Sequence, residues 1–165
     1  MNKTTENLWE AFAGESQANR KYLAFAEKAE KEGFPQAARL FRAAAQAETI
    51  HAHNHLRALE AVKSTAENLQ TGVDGEHYEA NTMYPPFLEE ATAANNKAAM
   101  RTFRYALEVE KGHEVLYKEM LQNLGKGEET YPYYVCPTCG YTHAGFAPDV
   151  CPVCGGRGDR FIRVD

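Results

Sequence analysis

Ala47-Glu48-Thr49-Ile50-His51 sets a carboxylate and an imidazole three residues apart, a spacing that stacks both on one face of an α-helix. The face is apolar rather than wet. Leu40, Phe41 and Ala44 precede the pair, and Leu59 and Val62 continue the stripe, so Glu48 and His51 point where a helical core is expected. The arrangement recurs 62 positions later as Glu110 and His113, preceded by Phe103 and Ala106 and followed by Leu116 and Leu124. A single Glu-x-x-His is more often a solvated face than a ligand pair. Two in register form a constellation.

The repeat extends beyond these four residues. A shift of 62 lays Ala18-Asn19 on Ala80-Asn81, Tyr22 on Tyr84, Phe25 on Phe87, Ala37 on Ala99, Arg39 on Arg101 and Phe41 on Phe103. Upstream the shift is 61, laying Thr4 on Thr65, Glu6-Asn7-Leu8 on Glu67-Asn68-Leu69 and Gly14-Glu15 on Gly75-Glu76. One residue has therefore been added between Glu76 and Ala80. A helix absorbs such an addition as a π-type bulge, a feature common at functional sites. Glu79 lies in the added segment, and its counterpart in the first copy is Gln17.

Glu15 shares a helical stripe with Leu8, Phe12, Tyr22 and Phe25, and Glu76 shares one with Leu69, Met83 and Phe87. Glu15, Glu48, Glu76, Glu79 and Glu110 thus face inward together with His51 and His113. Burying ionised carboxylates without a counter-charge costs several kcal/mol apiece. No Lys or Arg lies on these stripes near them, so a cation between the helices is required. Mixed carboxylate and imidazole ligation across a four-helix bundle is the arrangement of dinuclear iron or manganese proteins. His53, on the opposite side of its helix, reads as surface; His55, one turn beyond His51, either supports the site or packs; His77 has no assigned role.

The chain of 165 residues suffices for one core of about 120 residues and a small module that needs a staple. A net charge of −5 and no Lys/Arg cluster exclude an electrostatic nucleic-acid binder. No apolar run reaches membrane-spanning length and the first residues are polar, so neither membrane nor signal peptide is expected and the location is taken as cytoplasmic. All four cysteines fall late, as Cys136-Pro-Thr-Cys139 and Cys151-Pro-Val-Cys154. Paired Cys-x-x-Cys in a cytosolic chain reads as a tetrahedral sulfur site for iron or zinc rather than as two disulfides.

The domain plan is a helical bundle over 1–126, made of the repeats 4–62 and 65–124, a linker over 127–132, and a cysteine module over 133–165. Thr4 or Thr5 caps the first helix, which runs to Gly33; Pro35 opens the second, which runs to about Val62. A cap at Thr65 starts a third helix over about 66–94, bent at Pro85-Pro86; Asn95-Asn96 turns the chain into a fourth, from 97 to Leu124. In a ferritin-like bundle the second and third helices run parallel, so their link must return roughly 40 Å. Either residues 63–75 are mostly extended, at about 3.3 Å each, or the third helix packs on another subunit. The second choice is favoured: a homodimer, domain-swapped, with ligands from both chains at one site.

With both halves read, the chain resembles the rubrerythrins over essentially its full length. The match is carried by Gly14-Glu15-Ser16-Gln17-Ala18, Glu48-Thr-Ile-His51, Gly75-Glu76-His-Tyr-Glu79 leading into Met83-Tyr84-Pro85, Glu110-Lys-Gly-His113 and the Cys136 to Cys154 knuckles. The resemblance implies an all-α ferritin-like four-helix bundle with a small C-terminal rubredoxin-like β domain. It implies a non-haem di-iron peroxidase that reduces hydrogen peroxide to water in oxidative-stress defence. Glu48 and Glu110 would bridge two irons of an oxo/carboxylate-bridged site, Glu15, Glu76 and His113 would be terminal ligands, and Glu79 would compete with His51 for one iron. Tyr22 and Tyr84 would stand beside the cluster. Cys136, Cys139, Cys151 and Cys154 would hold one further iron, with zinc as a substitute. Electrons would arrive through that iron, most simply from the module of a partner chain. Their source would be a rubredoxin, a ferredoxin or an NAD(P)H-dependent reductase; this chain carries no Gly-x-Gly-x-x-Gly fingerprint. Ferroxidase or iron-handling activity, as in ferritins, is the competing reading.

Overall fold

The computed structural model describes residues 2–127 and 130–165, and within the expected linker Glu128 and Glu129 lie outside them. The chain divides into two compact units, 1–63 and 64–165. In the first, α1 (Lys3–Lys31) and α2 (Pro35–Ala58) form a hairpin. Small residues let the two helices approach closely. Ala26, Ala29 and Ala38 form the buried cluster, with Phe41 packed against it. Buried Asn19 on α1 donates from Nδ2 to the Ala45 carbonyl (2.7 Å) and to Thr49 Oγ1 (2.9 Å), tying α1 to the turn of α2 that precedes Glu48. A buried polar side chain satisfied in this way fixes the register of the helix pair.

Helix ends explain where the expected boundaries shift. Asn2, rather than Thr4 or Thr5, caps α1, its side chain accepting from the Thr5 N–H at 2.9 Å. At the end of α1, Phe34 N donates to Ala29 O and Gly33 N to Glu30 O, a Schellman motif with Gly33 at φ +81°. The repeat reproduces it 62 positions on. Asn96 N donates to Ala91 O and Asn95 N to Thr92 O, with Asn95 at φ +49°. Asn is found at this position next after Gly. A third such motif, with Glu60 at φ +50° and Ala61 N bonded to Leu56 O, stops α2 at Ala58, short of Val62. Leu40 (68 % exposed) and Val62 (67 %) therefore lie outside the stripe assigned to them. The inward stripe of α2 is Ala38, Phe41, Ala45, Glu48 and Ala52, spaced by threes and fours.

In the second unit, α3 (Thr65–Tyr78), a π-helical turn (Glu79–Met83) and α4 (Tyr84–Ala93) run on without interruption and pack on α5 (Lys97–Asn123) around Val73, Ala80, Ala91 and Val109. The added residue is absorbed as expected: Tyr84 N reaches back five residues to Glu79 O. The third helix is thus divided by this turn rather than by the prolines, and Pro85 and Pro86 fall in the first turn of α4. Its start is capped by Ser64 rather than Thr65. Ser64 and Glu67 form a reciprocal capping box, so residues 65–75 are helical and not extended.

Three short antiparallel strands, β1 (Tyr133–Val135), β2 (Thr142–Ala144) and β3 (Ile162–Val164), form a sheet in the order β2-β1-β3. Val135 pairs with both Thr142 and Ile162. Replacing Ser64 by Ala removes one half of the capping box and should lower unfolding free energy by about 1 kcal/mol, measured by denaturant titration against the parent chain.

Candidate metal centres

Each half of the repeat brings together two carboxylates and an imidazole. His51 Nδ1 lies 2.9 Å from Glu48 Oε2 and 3.8 Å from Glu15 Oε1. His113 Nδ1 lies 2.9 Å from Glu110 Oε2 and 3.8 Å from Glu76 Oε2. The agreement follows from helical geometry. The Glu-x-x-His pair sits one turn apart on α2 or α5, and the second carboxylate comes from the facing helix, α1 or α3. In each trio the ligand atoms lie within 4.8 Å of one another, as a metal ion requires. The two trios belong to different units of the chain.

The aromatic surroundings are repeated as well. Phe41 meets Tyr22 (centroids 6.2 Å) and Phe25 (5.5 Å), and Phe103 meets Tyr84 (6.3 Å) and Phe87 (5.7 Å). A tyrosine thus stands about two turns beyond each lone carboxylate, Tyr22 on α1 and Tyr84 at the start of α4. The trios differ in exposure: the His51 side chain is 52 % exposed, that of His113 is 27 %.

Charge accumulates around the second trio. Burial first, then the Glu110 carboxylate, push the Glu76 carboxyl up to about 7. Burial and Glu110 also raise Glu79 on the π turn, which places it in the field of this trio. A hydrogen bond to the Glu110 carboxylate raises His113, and burial with the charges of Glu79, Glu110 and Glu76 keeps Tyr84 a phenol. Among the described residues no Lys or Arg pairs with Glu76 or Glu110, so protons do the neutralising that a metal ion would otherwise do.

The four thiols meet in the module, with Cys136 Sγ to Cys154 Sγ at 3.6 Å and Cys139 Sγ to Cys151 Sγ at 3.5 Å. Both knuckles are built alike. Gly140 N donates to Cys136 O and Gly155 N to Cys151 O, with the glycines at φ +86° and +74°. Burial pushes Cys136 up, but backbone N–H donors from Thr138 and Cys139 outweigh it and bring the thiol down to about 7. Burial holds Cys139 and Cys154 high instead. Four sulfurs this close ionise together only around a cation, which fits a rubredoxin-like iron site.

Two features escaped the sequence reading. The module lies against α5 of its own chain. Thr142 Oγ1 is 2.9 Å from His113 Nε2, and Gly140 faces Val109. His77 also has a place: its Nδ1 is 2.9 Å from Glu114 Oε1, and Asn81 on the π turn donates to its carbonyl. No periodicity links a strand residue to a helix 29 positions earlier, so only Glu114, one residue past His113, offered any local signal. His53 is exposed, as read.

The raised groups fix the sign of the pH dependence. Glu76 is held above its ordinary value, so its contribution to the metal-free fold is complete below about pH 4.5 and lost as pH rises through about 7. Glu79 and His113 add in the same sense. Metal-free protein should lose stability across that window, and Glu76→Gln should flatten the loss, as read from denaturant midpoints along a pH series.

Residues 6–121 match the rubrerythrin family model, and residues 134–162 match that of the rubrerythrin rubredoxin-like domain. The chain is 36 % identical to rubrerythrin-2 of Clostridium acetobutylicum, covering 96 % of this chain and 95 % of that one. It is 34 % identical to nigerythrin of Nitratidesulfovibrio vulgaris, over 98 % of this chain and 86 % of the relative. A solved mixed-valent nigerythrin superposes with a TM-score of 0.60 at 34 % identity, covering 99 % of this chain and 87 % of the other. Ferritin-like helices joined to a rubredoxin-like β module, with carboxylate and imidazole groups that fit a di-iron site and four cysteines that fit an iron site, make this chain a member of the rubrerythrin family.

Proposed function

We propose that this chain is a di-iron peroxidase that reduces hydrogen peroxide to water, H2O2 + 2 H+ + 2 e− → 2 H2O, with electrons relayed through the four-cysteine iron from an external NAD(P)H-linked donor protein. The observation that carries the reading is the pair of matching Glu/Glu/His trios in one chain with a thiolate module that touches His113. A bound iron pair supplies the two electrons that break the O–O bond. In this reading Glu15, Glu48, Glu76, Glu110 and His113 would hold the iron pair. Glu79 and His51 would offer an anionic and a neutral ligand, the former suited to oxidised and the latter to reduced iron. The added Glu79 has only Gln17 opposite it in the repeat, which supports a role for one half and not the other. Tyr84 Oη, kept protonated by its surroundings, can donate to a peroxide oxygen.

The helical domain would span 1–126, the linker 127–132 and the module 133–165. The trios would combine by exchange between two copies. Six residues, 59–64, join α2 to α3. They reach about 20 Å at most, against about 36 Å for the length of α2 at 1.5 Å per residue. A parallel return within one chain exceeds that reach, which supports a domain-swapped homodimer. Ferroxidase activity has no comparable support, because iron storage needs no thiolate module.

Anaerobic single-turnover spectra test the activity. The thiolate-iron absorption, bleached by dithionite, should return stoichiometrically with hydrogen peroxide; slow return with peroxide and fast return with dioxygen would favour a ferroxidase. Complementation tests the exchange. Chains carrying Glu48→Ala and chains carrying Glu110→Ala, each inactive alone, should on refolding together recover about a quarter of the sites by random pairing in a swapped dimer. A dimer whose sites lie within single chains recovers none.

A further inference from the structure

Thr142 opens β2 two residues after Gly140 and stands between the thiolate knuckle and the helical trio. Its hydroxyl donates to the Gly140 carbonyl at 3.0 Å, and its oxygen lies 2.9 Å from His113 Nε2. A threonine hydroxyl has one proton, and a carbonyl can only accept. With that proton directed to Gly140 O, Thr142 Oγ1 must accept, so Nε2 of His113 is the donor whether the ring is neutral or protonated. The neutral ring then keeps its lone pair on Nδ1, the nitrogen facing Glu110 Oε2 and Glu76 Oε2.

The other end of this chain of bonds is equally anchored. Gly140 follows Cys139 directly, its N–H bonds Cys136 O at 2.9 Å, and its backbone lies against buried Val109 on α5. The two imidazoles of the repeat therefore differ. His51 has the same Nδ1 geometry as His113, yet among the described residues its Nε2 has no hydrogen-bond partner.

We propose that Thr142 is a positioning residue: its hydroxyl locks His113 in the tautomer that offers Nδ1 to a metal ion, and it ties that ligand to the peptide beside Cys139. His113 is thereby the fixed imidazole of the pair, and His51 the unrestrained one. This rests on the metal-site reading above but not on the substrate. Partners that orient a ligating histidine in this way commonly change metal affinity or activity by 10–100-fold when removed.

Proton NMR of the iron-loaded, reduced full-length chain tests the lock, because unpaired electrons shift ligand imidazole N–H signals clear of the rest. Thr142→Val, which keeps the shape and removes the hydroxyl, should speed solvent exchange of one of the two ligand N–H protons by about tenfold, while Thr142→Ser keeps the parent rate. Equal exchange in Thr142→Val and the parent overturns the proposal, as does Thr142→Ser exchanging as fast as Thr142→Val. Should the valine variant fail to accumulate, Thr142→Ala removes the same hydroxyl and is judged by the same outcomes. Exchange is read without peroxide, so failure of the peroxidase reading shows separately, in turnover by the parent chain.

Discussion

Carboxylates crowded into a half-buried space need a cation, and the architecture of this chain follows from that need. Glu76 and Glu110 share one imidazole, with no Lys or Arg among the described residues to neutralise them. In the absence of metal, Glu76 holds its proton up to about neutrality. The four thiols repeat the situation with sulfur, one drawn down and others forced up. Both clusters are high-energy arrangements of like charge that metal ions relieve, so binding free energy there becomes folding free energy.

The internal repeat is a cheap way to build such a site. One helical hairpin already positions two carboxylates and an imidazole, because Glu-x-x-His lies along one helix and the second carboxylate comes from the helix it packs on. Repeating the hairpin reproduces the distances to the tenth of an ångström and the aromatic trio behind them. The copies then diverge where chemistry asks for asymmetry. A π turn brings Glu79 into the second copy alone, and Thr142 restrains His113 alone. The second copy thus acquires features that the first lacks.

Where residue spacing was enough, the reading from sequence and the structure agree. The two Glu-x-x-His pairs, the π turn, the Gly33 and Asn95 turns and each cysteine knuckle are local patterns, within a few residues along the chain. Helical periodicity and ligand spacing carry such information directly. The misplaced elements were competitions between local signals. Glu60 ended α2 early by entering a left-handed conformation that nothing in Leu59-Glu60-Ala61 announces, and Ser64 won the cap over Thr65 because Glu67 stands three residues beyond it.

The sequence by itself determined which side chains gather, because an α-helix converts spacing into facing and a Cys-x-x-Cys turn converts it into converging sulfurs. Only the tertiary structure decided what touches His113 from behind. Thr142 belongs to a strand, two residues past the Gly140 turn, and its meeting with α5 depends on how the module seats against Val109. Packing between separate elements leaves no period along the chain, so the contact that orients the ligand is visible only once the chain has folded.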